Sequence, residues 1–205
     1  MKHLLVFVGA AALGCSSFGA IVSVTGQVSL IAPPASLAFG AYTDKTQAFA
    51  MNERQGVLFS GGFDKYMPVV GLAYTTSNLM PGLMPSPTWV DSHMIHFDNR
   101  GEPSPYPIVT GTITFDKPIL AVICSLSRLD ASDAALGAPG TTYAAGELTR
   151  GISSVVDTFK LLSPNTIQFT LQNSQAMDNI RVLTVPGPGV AAMGLLGLCT
   201  LRRRR

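Results

Sequence analysis

Val109-Thr110-Gly111-Thr112-Ile113-Thr114-Phe115, followed by Asp116-Lys117-Pro118 and the apolar run Ile119 to Cys124, decides how this chain folds. In an extended chain successive side chains point to opposite sides, so Val109, Gly111, Ile113 and Phe115 share one face. Thr110, Thr112 and Thr114 share the other. That period of two predicts a strand with one buried face, and β-branched residues suit a pleated surface. Asp116-Lys117-Pro118 reads as a turn, because proline fixes its own φ and has no N–H to offer a ladder. Ile119 to Cys124 then reads as a second, more continuously apolar strand.

The same period recurs on both sides of this stretch. Val22-Ser23-Val24-Thr25 and Val28-Ser29-Leu30 alternate, with Gly26-Gln27 between them. Ile167-Gln168-Phe169-Thr170-Leu171 alternates cleanly, and Ile180-Arg181-Val182 does so again. Segments 32–42 and 80–89, rich in Pro, Gly, Ser and Met, read as loops. One short turn of helix is expected at Ser132-Asp133-Ala134-Ala135-Leu136, capped by Ser132 and stopped at Gly137-Ala138-Pro139-Gly140. With no repeats and no internal boundary, the chain reads as all-β: an antiparallel two-sheet β-sandwich, of which the jelly roll is one form.

Composition fits that class. Charged residues make up 13% of the 205 and hydrophobic ones 47%, with 20 Gly and 14 Pro, which excludes a disordered polyelectrolyte and suits turn-rich β structure. The formal charge of +2 comes from the ends: without Lys2 and the four terminal arginines, nine of the fourteen basic residues remain against twelve acidic ones. A mildly acidic body lacks the footprint for neutralising phosphates, so nucleic acid is set aside as a partner. Of the three cysteines, only Cys124 lies in the body, so the domain has no internal disulfide to rely on; it reads as inert core.

Both ends read as processing segments. Met1-Lys2-His3 is a basic start, Leu4 to Gly14 an apolar run, and Cys15, Ser16, Ser17, Gly19 and Ala20 are small. That order is the pattern of a secretory signal, residues 1–20, cut after Gly19 or Ala20 by signal peptidase after passage through the Sec machinery. Cys15 has Ala12 where a lipoprotein site carries Leu, so it reads as a small residue lost with the signal. At the other end, Pro186-Gly187-Pro188 precedes an apolar stretch to Leu201 and then Arg202, Arg203, Arg204 and Arg205. As a helix, Pro186 to Leu201 reaches roughly 24 Å against a hydrocarbon core of about 30 Å, a weak transmembrane anchor. Each arginine costs roughly +2.5 to +3.5 kcal/mol at mid-bilayer, so the four together act as a stop-transfer signal on the cytoplasmic side.

The three-part layout of Pro-x-Pro motif, Gly/Ala/Leu-rich segment and arginine cluster resembles the PEP-CTERM sorting tail. Here Gly187 stands where the usual motif has Glu. The resemblance covers residues 186–205 and implies an exosortase-like processing enzyme, with association to the cell envelope or exopolysaccharide. Met177-Asp178-Asn179-Ile180-Arg181-Val182, running on toward Pro186, is also similar to the last strand of the β-sandwich in tail-bearing proteins. The organisation expected is thus signal 1–20, β domain 21–185 and sorting tail 186–205.

Few residues of the body suggest chemistry. His93, His96 and Asp98 fall on one strand, His96 and Asp98 on the same face and His93 opposite, without the His-x-His spacing of a two-strand metal site. Asp98-Asn99-Arg100-Gly101-Glu102 and Asp130-Ala131-Ser132-Asp133 read as oxygen-rich loops. Asp98, Glu102, Asp130 and Asp133 are therefore the candidates for a structural calcium, against ordinary turn chemistry. Ser92 and His93 are strand neighbours that face opposite ways, and no nucleophile elbow, phosphate loop or zinc-helix motif occurs. Trp89, the single tryptophan, reads as packing, with sugar stacking as the alternative. No catalytic or cofactor-binding residue is assigned. The expectation is a non-catalytic exported surface or matrix protein, and the alternatives are a glycan-acting hydrolase using a pair of those acids or a carbohydrate-binding module.

Overall fold

The computed structural model describes residues 19–100, 106–153, 156–173 and 176–187. The expected signal helix, apart from Gly19 and Ala20, lies outside these residues. So do Glu102, Pro188, the apolar tail segment and Arg202 to Arg205.

The chain runs through β1 (Ile21–Gly26), β2 (Val28–Leu30), β3 (Ser36–Leu37), β4 (Ala48–Asn52), β5 (Val57–Phe59), β6 (Gly62–Phe63), β7 (Lys65–Tyr66) and β8 (Ala73–Tyr74). It continues through β9 (Gly82–Leu83), β10 (Thr88–Asp98), β11 (Ile108–Phe115), β12 (Ile119–Ile123) and helix α1 (Leu126–Leu136). Last come β13 (Thr142–Tyr143), β14 (Thr158–Ser163), β15 (Thr166–Gln172) and β16 (Met177–Thr184). The described residues are mostly β with one short helix, as the alternation predicts.

A five-stranded sheet has the order β1-β11-β15-β14-β8. A seven-stranded sheet runs β2-β4-β10-β16-β12-β7, with β5 pairing β10 beyond β4. The deciding stretch behaves as expected: Val109, Ile113 and Phe115 are buried on β11, and its threonines form hydroxyl pairs with β15, Thr110 with Thr170 and Thr114 with Thr166. Ile167, Phe169 and Leu171 on β15 complete that buried face. These residues share one core with Ile95, Phe97, Ile180 and Val182 of the seven-stranded sheet. Each fully buried Phe or Ile contributes about 1.5–3 kcal/mol of transfer free energy.

The pairing is not wholly antiparallel. β1 and β2 are separated only by Gln27 but belong to different sheets: β1 pairs β11, and β2 pairs β4 in parallel. Gly26 makes the crossing with φ +82°, and a Cβ there would stand 2.7 Å from the Thr110 carbonyl oxygen. A parallel pair needs a crossover, which residues 31–47 supply; within it β3 pairs β13, again in parallel.

The middle of the seven-stranded sheet is covered on both faces. Val90 and Met94 of β10, Met51 of β4, Ile123 of β12 and Leu183 of β16 form a second core with Leu129 and Leu136 of α1. Every residue of β16 is therefore buried, where the motif Ile180-Arg181-Val182 predicts a half-exposed strand. The helix also differs from expectation, starting six residues earlier. Its N-cap position is Ser125, whose hydroxyl donates to Asp64 Oδ1 at 2.7 Å instead of capping the helix. Asp64 Oδ2 accepts the N–H groups of Cys124 and Ser125, both at 2.7 Å. An acid some sixty residues away thus organises the helix start, and no local signal reveals it. Segments 32–42 and 80–89 are mostly loop, but they contribute β3, β9 and the first residues of β10.

Gly111 is tightly enclosed between the sheets: a Cβ there would lie 2.6 Å from the Phe169 ring and 2.7 Å from Val28 Cγ1. Gly111→Ala is expected to destabilise the domain by about 1–3 kcal/mol through overpacking, read as a lower urea midpoint with an unchanged slope. A midpoint equal to the parent's would show that the two walls do not meet at this residue.

Candidate functional site

Between α1 and the seven-stranded sheet lies a buried polar network built on Arg181, the central residue of β16. Its guanidinium has no solvent exposure. Nε and Nη2 donate to the two oxygens of Glu53 at 2.7 and 2.8 Å, a bidentate pair. Nη2 also reaches Asp133 Oδ1 at 3.0 Å, and Nη1 donates to the Ser132 hydroxyl and the Leu129 carbonyl. Burial alone would lower the Arg181 pKa, but the charges of Glu53 and Asp133 raise it above the ordinary value. Glu53, one residue past β4, also accepts the hydroxyls of Ser92 and Tyr143 at 2.7 and 2.6 Å. Burial first, then the Glu53 charge, pushes the Tyr143 phenol up.

A second guanidinium, Arg150, joins the same network. Its Nη1 bridges Asp130 and Asp133 at 2.7 Å each, and its Nη2 reaches Asp133 at 2.8 Å. Both guanidinium groups sit against the Tyr143 ring, 5.4 and 5.7 Å from its centroid. Arg54, Asp133, Gly137, Pro139, Thr141 and Tyr143 line a pocket of about 340 Å³ beside this network. The segment Asp130–Asp133 is therefore helical, not a loop, and its carboxyl groups take guanidinium as their positive partner. Ser132, expected to cap a helix, lies inside one and donates to the Leu129 carbonyl.

The three sequence-nominated residues of β10 are buried, with alternation placed as predicted. His93 faces the core between the sheets, its ring 4.7 Å from that of Phe115. Its Nδ1 donates to Asn52 Oδ1 at 2.8 Å and its Nε2 accepts from the Thr184 hydroxyl at 3.1 Å. Burial pushes its pKa down to about 3, so the folded state keeps it neutral. His96 faces the helix side. Its Nε2 donates to the Tyr42 carbonyl at 3.0 Å, which makes Nδ1 an acceptor. That fixes the Asn179 amide with its nitrogen on His96 Nδ1 (2.9 Å) and its oxygen on Arg150 Nε (3.2 Å), extending the network to β10. Asp98, on the His96 face, accepts the N–H groups of Gly40 and Arg100 at 2.6 and 3.0 Å, and burial raises its pKa. Cys124 is buried and its thiol is pushed well up by that burial. Among the described residues, no three His, Cys, Asp or Glu side chains gather as one metal-binding group.

Two further acids matter. Asp91, near the start of β10, accepts the N–H of Gly19 at 2.6 Å, that of Gly56 at 2.5 Å and that of Gly187. The two ends of the described fold thus converge on one buried carboxyl group, whose pKa burial raises against those three hydrogen bonds. Asp178, on β16, is buried beside Asp157, and burial followed by the Asp157 charge pushes it up to about 9. On the surface, Trp89 is 51% exposed and pairs with Leu58 across β10 and β5, contrary to the expectation of packing.

Comparison with protein-family models, with curated proteins and with solved structures finds no match to this chain. The residues that sequence reading missed are Glu53 and Arg181. The signal was present: an arginine inside an otherwise apolar strand must either face water or meet an acid.

Removing one partner of a buried ion pair leaves the other charge uncompensated. Glu53→Gln should cost about 3–5 kcal/mol, while Glu53→Leu with Arg181→Met should cost clearly less than the sum of the single changes. Urea unfolding of the four proteins in the cycle measures this, and strictly additive losses would contradict the pairing.

Proposed function

We propose that the chain is an exported cell-surface or extracellular-matrix protein, whose two sheets form a non-catalytic β-sandwich with a binding or structural role. Met1 to Ala20 serve as signal peptide. Residues 186–205 serve as a PEP-CTERM-like sorting tail, with Pro186-Gly187-Pro188 the motif read by an exosortase-like enzyme and Arg202 to Arg205 the stop-transfer cluster. The observation that carries this reading is the three-part order of the tail together with the signal pattern at the opposite end. The commitment of His93, His96, Asp98, Asp130 and Asp133 to internal hydrogen bonds supports a role other than acid–base chemistry. The cell envelope or exopolysaccharide is then the setting in which the domain acts.

Intact-mass measurement of the native protein after cell fractionation tests the reading. The expected species lacks residues 1–19 or 1–20 and lacks the tail beyond the motif. Retention of Leu4 to Gly14 in a soluble cytosolic species would overturn export, and a surface species that keeps its arginines would overturn tail processing.

A second reading, a carbohydrate-binding module, draws on one observation: Trp89 is half exposed next to Leu58, an apolar platform of the kind a sugar ring stacks on. On a glycan array, binding that Trp89→Ala reduces at least tenfold would favour it. Binding unaffected by that change would exclude this surface.

A further inference from the structure

Asp157, Asn173 and Asp178 meet where the two main sheets adjoin. Asp178, on β16, is 1% exposed and lies opposite Phe97 of β10. Asn173 follows the last residue of β15, is 5% exposed, and its Nδ2 donates to the Phe97 carbonyl at 3.1 Å. Asp157 precedes β14 and is fully buried; its two oxygens accept the N–H groups of Gln172 and Ser153 at 2.9 Å each. The Asn173 amide also hydrogen-bonds Asp178, and Asp178 feels the Asp157 charge, so the three side chains form one cluster.

Within the cluster, Asp178 Oδ2 and Asn173 Oδ1 are both buried with no hydrogen-bond partner among the described residues. A buried acceptor without a donor costs roughly 1–3 kcal/mol, and more when charged. A cation beside a second carboxyl group would satisfy both oxygens, displacing the proton that burial keeps on Asp178. The donor set narrows the choice. Two carboxyl groups and an amide oxygen, with no imidazole or thiol, make a hard-cation site. Calcium accepts six to eight oxygens in irregular geometry, including carbonyls and water, whereas magnesium demands a near-ideal octahedron.

We propose that Asp178, Asp157 and Asn173 bind one calcium ion between the two sheets. The site differs from the loops nominated in the sequence. Asp130 and Asp133 already hold Arg150, and no oxygen of Asp98 is left buried without a partner among the described residues. Asp178 belongs to the seven-stranded sheet, while Asp157 and Asn173 flank β14 and β15 of the five-stranded one. The ion therefore ties the two sheets together across the end of their shared core. With only three side-chain ligands the affinity falls in the range of about 0.1–1 mM typical of extracellular modules. Binding does not require export; an exported location supplies calcium at that level.

The test is isothermal titration of the full chain with CaCl2, alongside thermal unfolding in CaCl2, MgCl2 and EDTA. The expected result is saturable calcium binding with a Kd of about 0.1–1 mM and a melting temperature several degrees higher in 10 mM CaCl2 than in EDTA, with a smaller effect of MgCl2. Asp178→Asn should weaken binding at least tenfold and erase the calcium-dependent shift. If that variant fails to fold, Asn173→Ala serves in its place, while Asp44→Asn should bind as the parent does. Identical melting in CaCl2 and EDTA, with no heat of binding, would mean that the acid pair is held by a proton, and would overturn the proposal. So would calcium affinity unaltered in Asp178→Asn or Asn173→Ala.

Discussion

Arg181 sets the terms for half of this molecule. Its guanidinium sits in the middle of a fully buried strand, and a charge with no access to water is tolerable only when every donor finds an acceptor. Glu53, Ser132, Asp133 and the Leu129 carbonyl supply those acceptors. Three of the four belong to α1, and the other follows β4. The helix is therefore positioned by polar geometry as well as by Leu129 and Leu136. Arg150 and Tyr143 extend the same arrangement to the segment after the helix.

The consequence for the architecture is a sheet whose central strand, β16, has no solvent face. An antiparallel sheet with one wet face would show apolar-in, polar-out alternation along each strand. β11 and β15 do show it. β10 and β16 do not, because one side packs on the other sheet and the second side packs on the helix and its polar network. His93 and His96 lie on opposite faces of β10, yet both are buried and both have two partners, each drawn from a different core.

This explains what could be read from the residues and what could not. The β class, the strands Ile108–Phe115, Ile119–Ile123 and Thr166–Gln172, and the opposition of His93 to His96 all follow from local alternation. So does the helix stop at Gly137. The helix start does not, because Asp64 organises it from a distant part of the chain. The placement of β1 and β2 in different sheets also escapes a local reading, since it depends on the approach of Gly26 to Thr110. Asp130 and Asp133 look like cation ligands in the sequence because acids three apart suit several roles. Only the approach of Arg150, seventeen residues beyond Asp133, decides between them. The expected signal, apart from Gly19 and Ala20, and the arginine cluster lie outside the described residues.

Asp91 draws in backbone from both extremities of the fold, Gly19 and Gly187, together with Gly56. Entry and exit are thus neighbours, and the opposite pole of the molecule carries neither. A short linker could join the two ends and new termini could be opened in a remote loop without crossing the core. Tension applied between the ends would load that one corner first, at the Asp91–Thr184 end of the ladder between β10 and β16. The same arrangement leaves the far pole free to face outward when the chain is held from its termini.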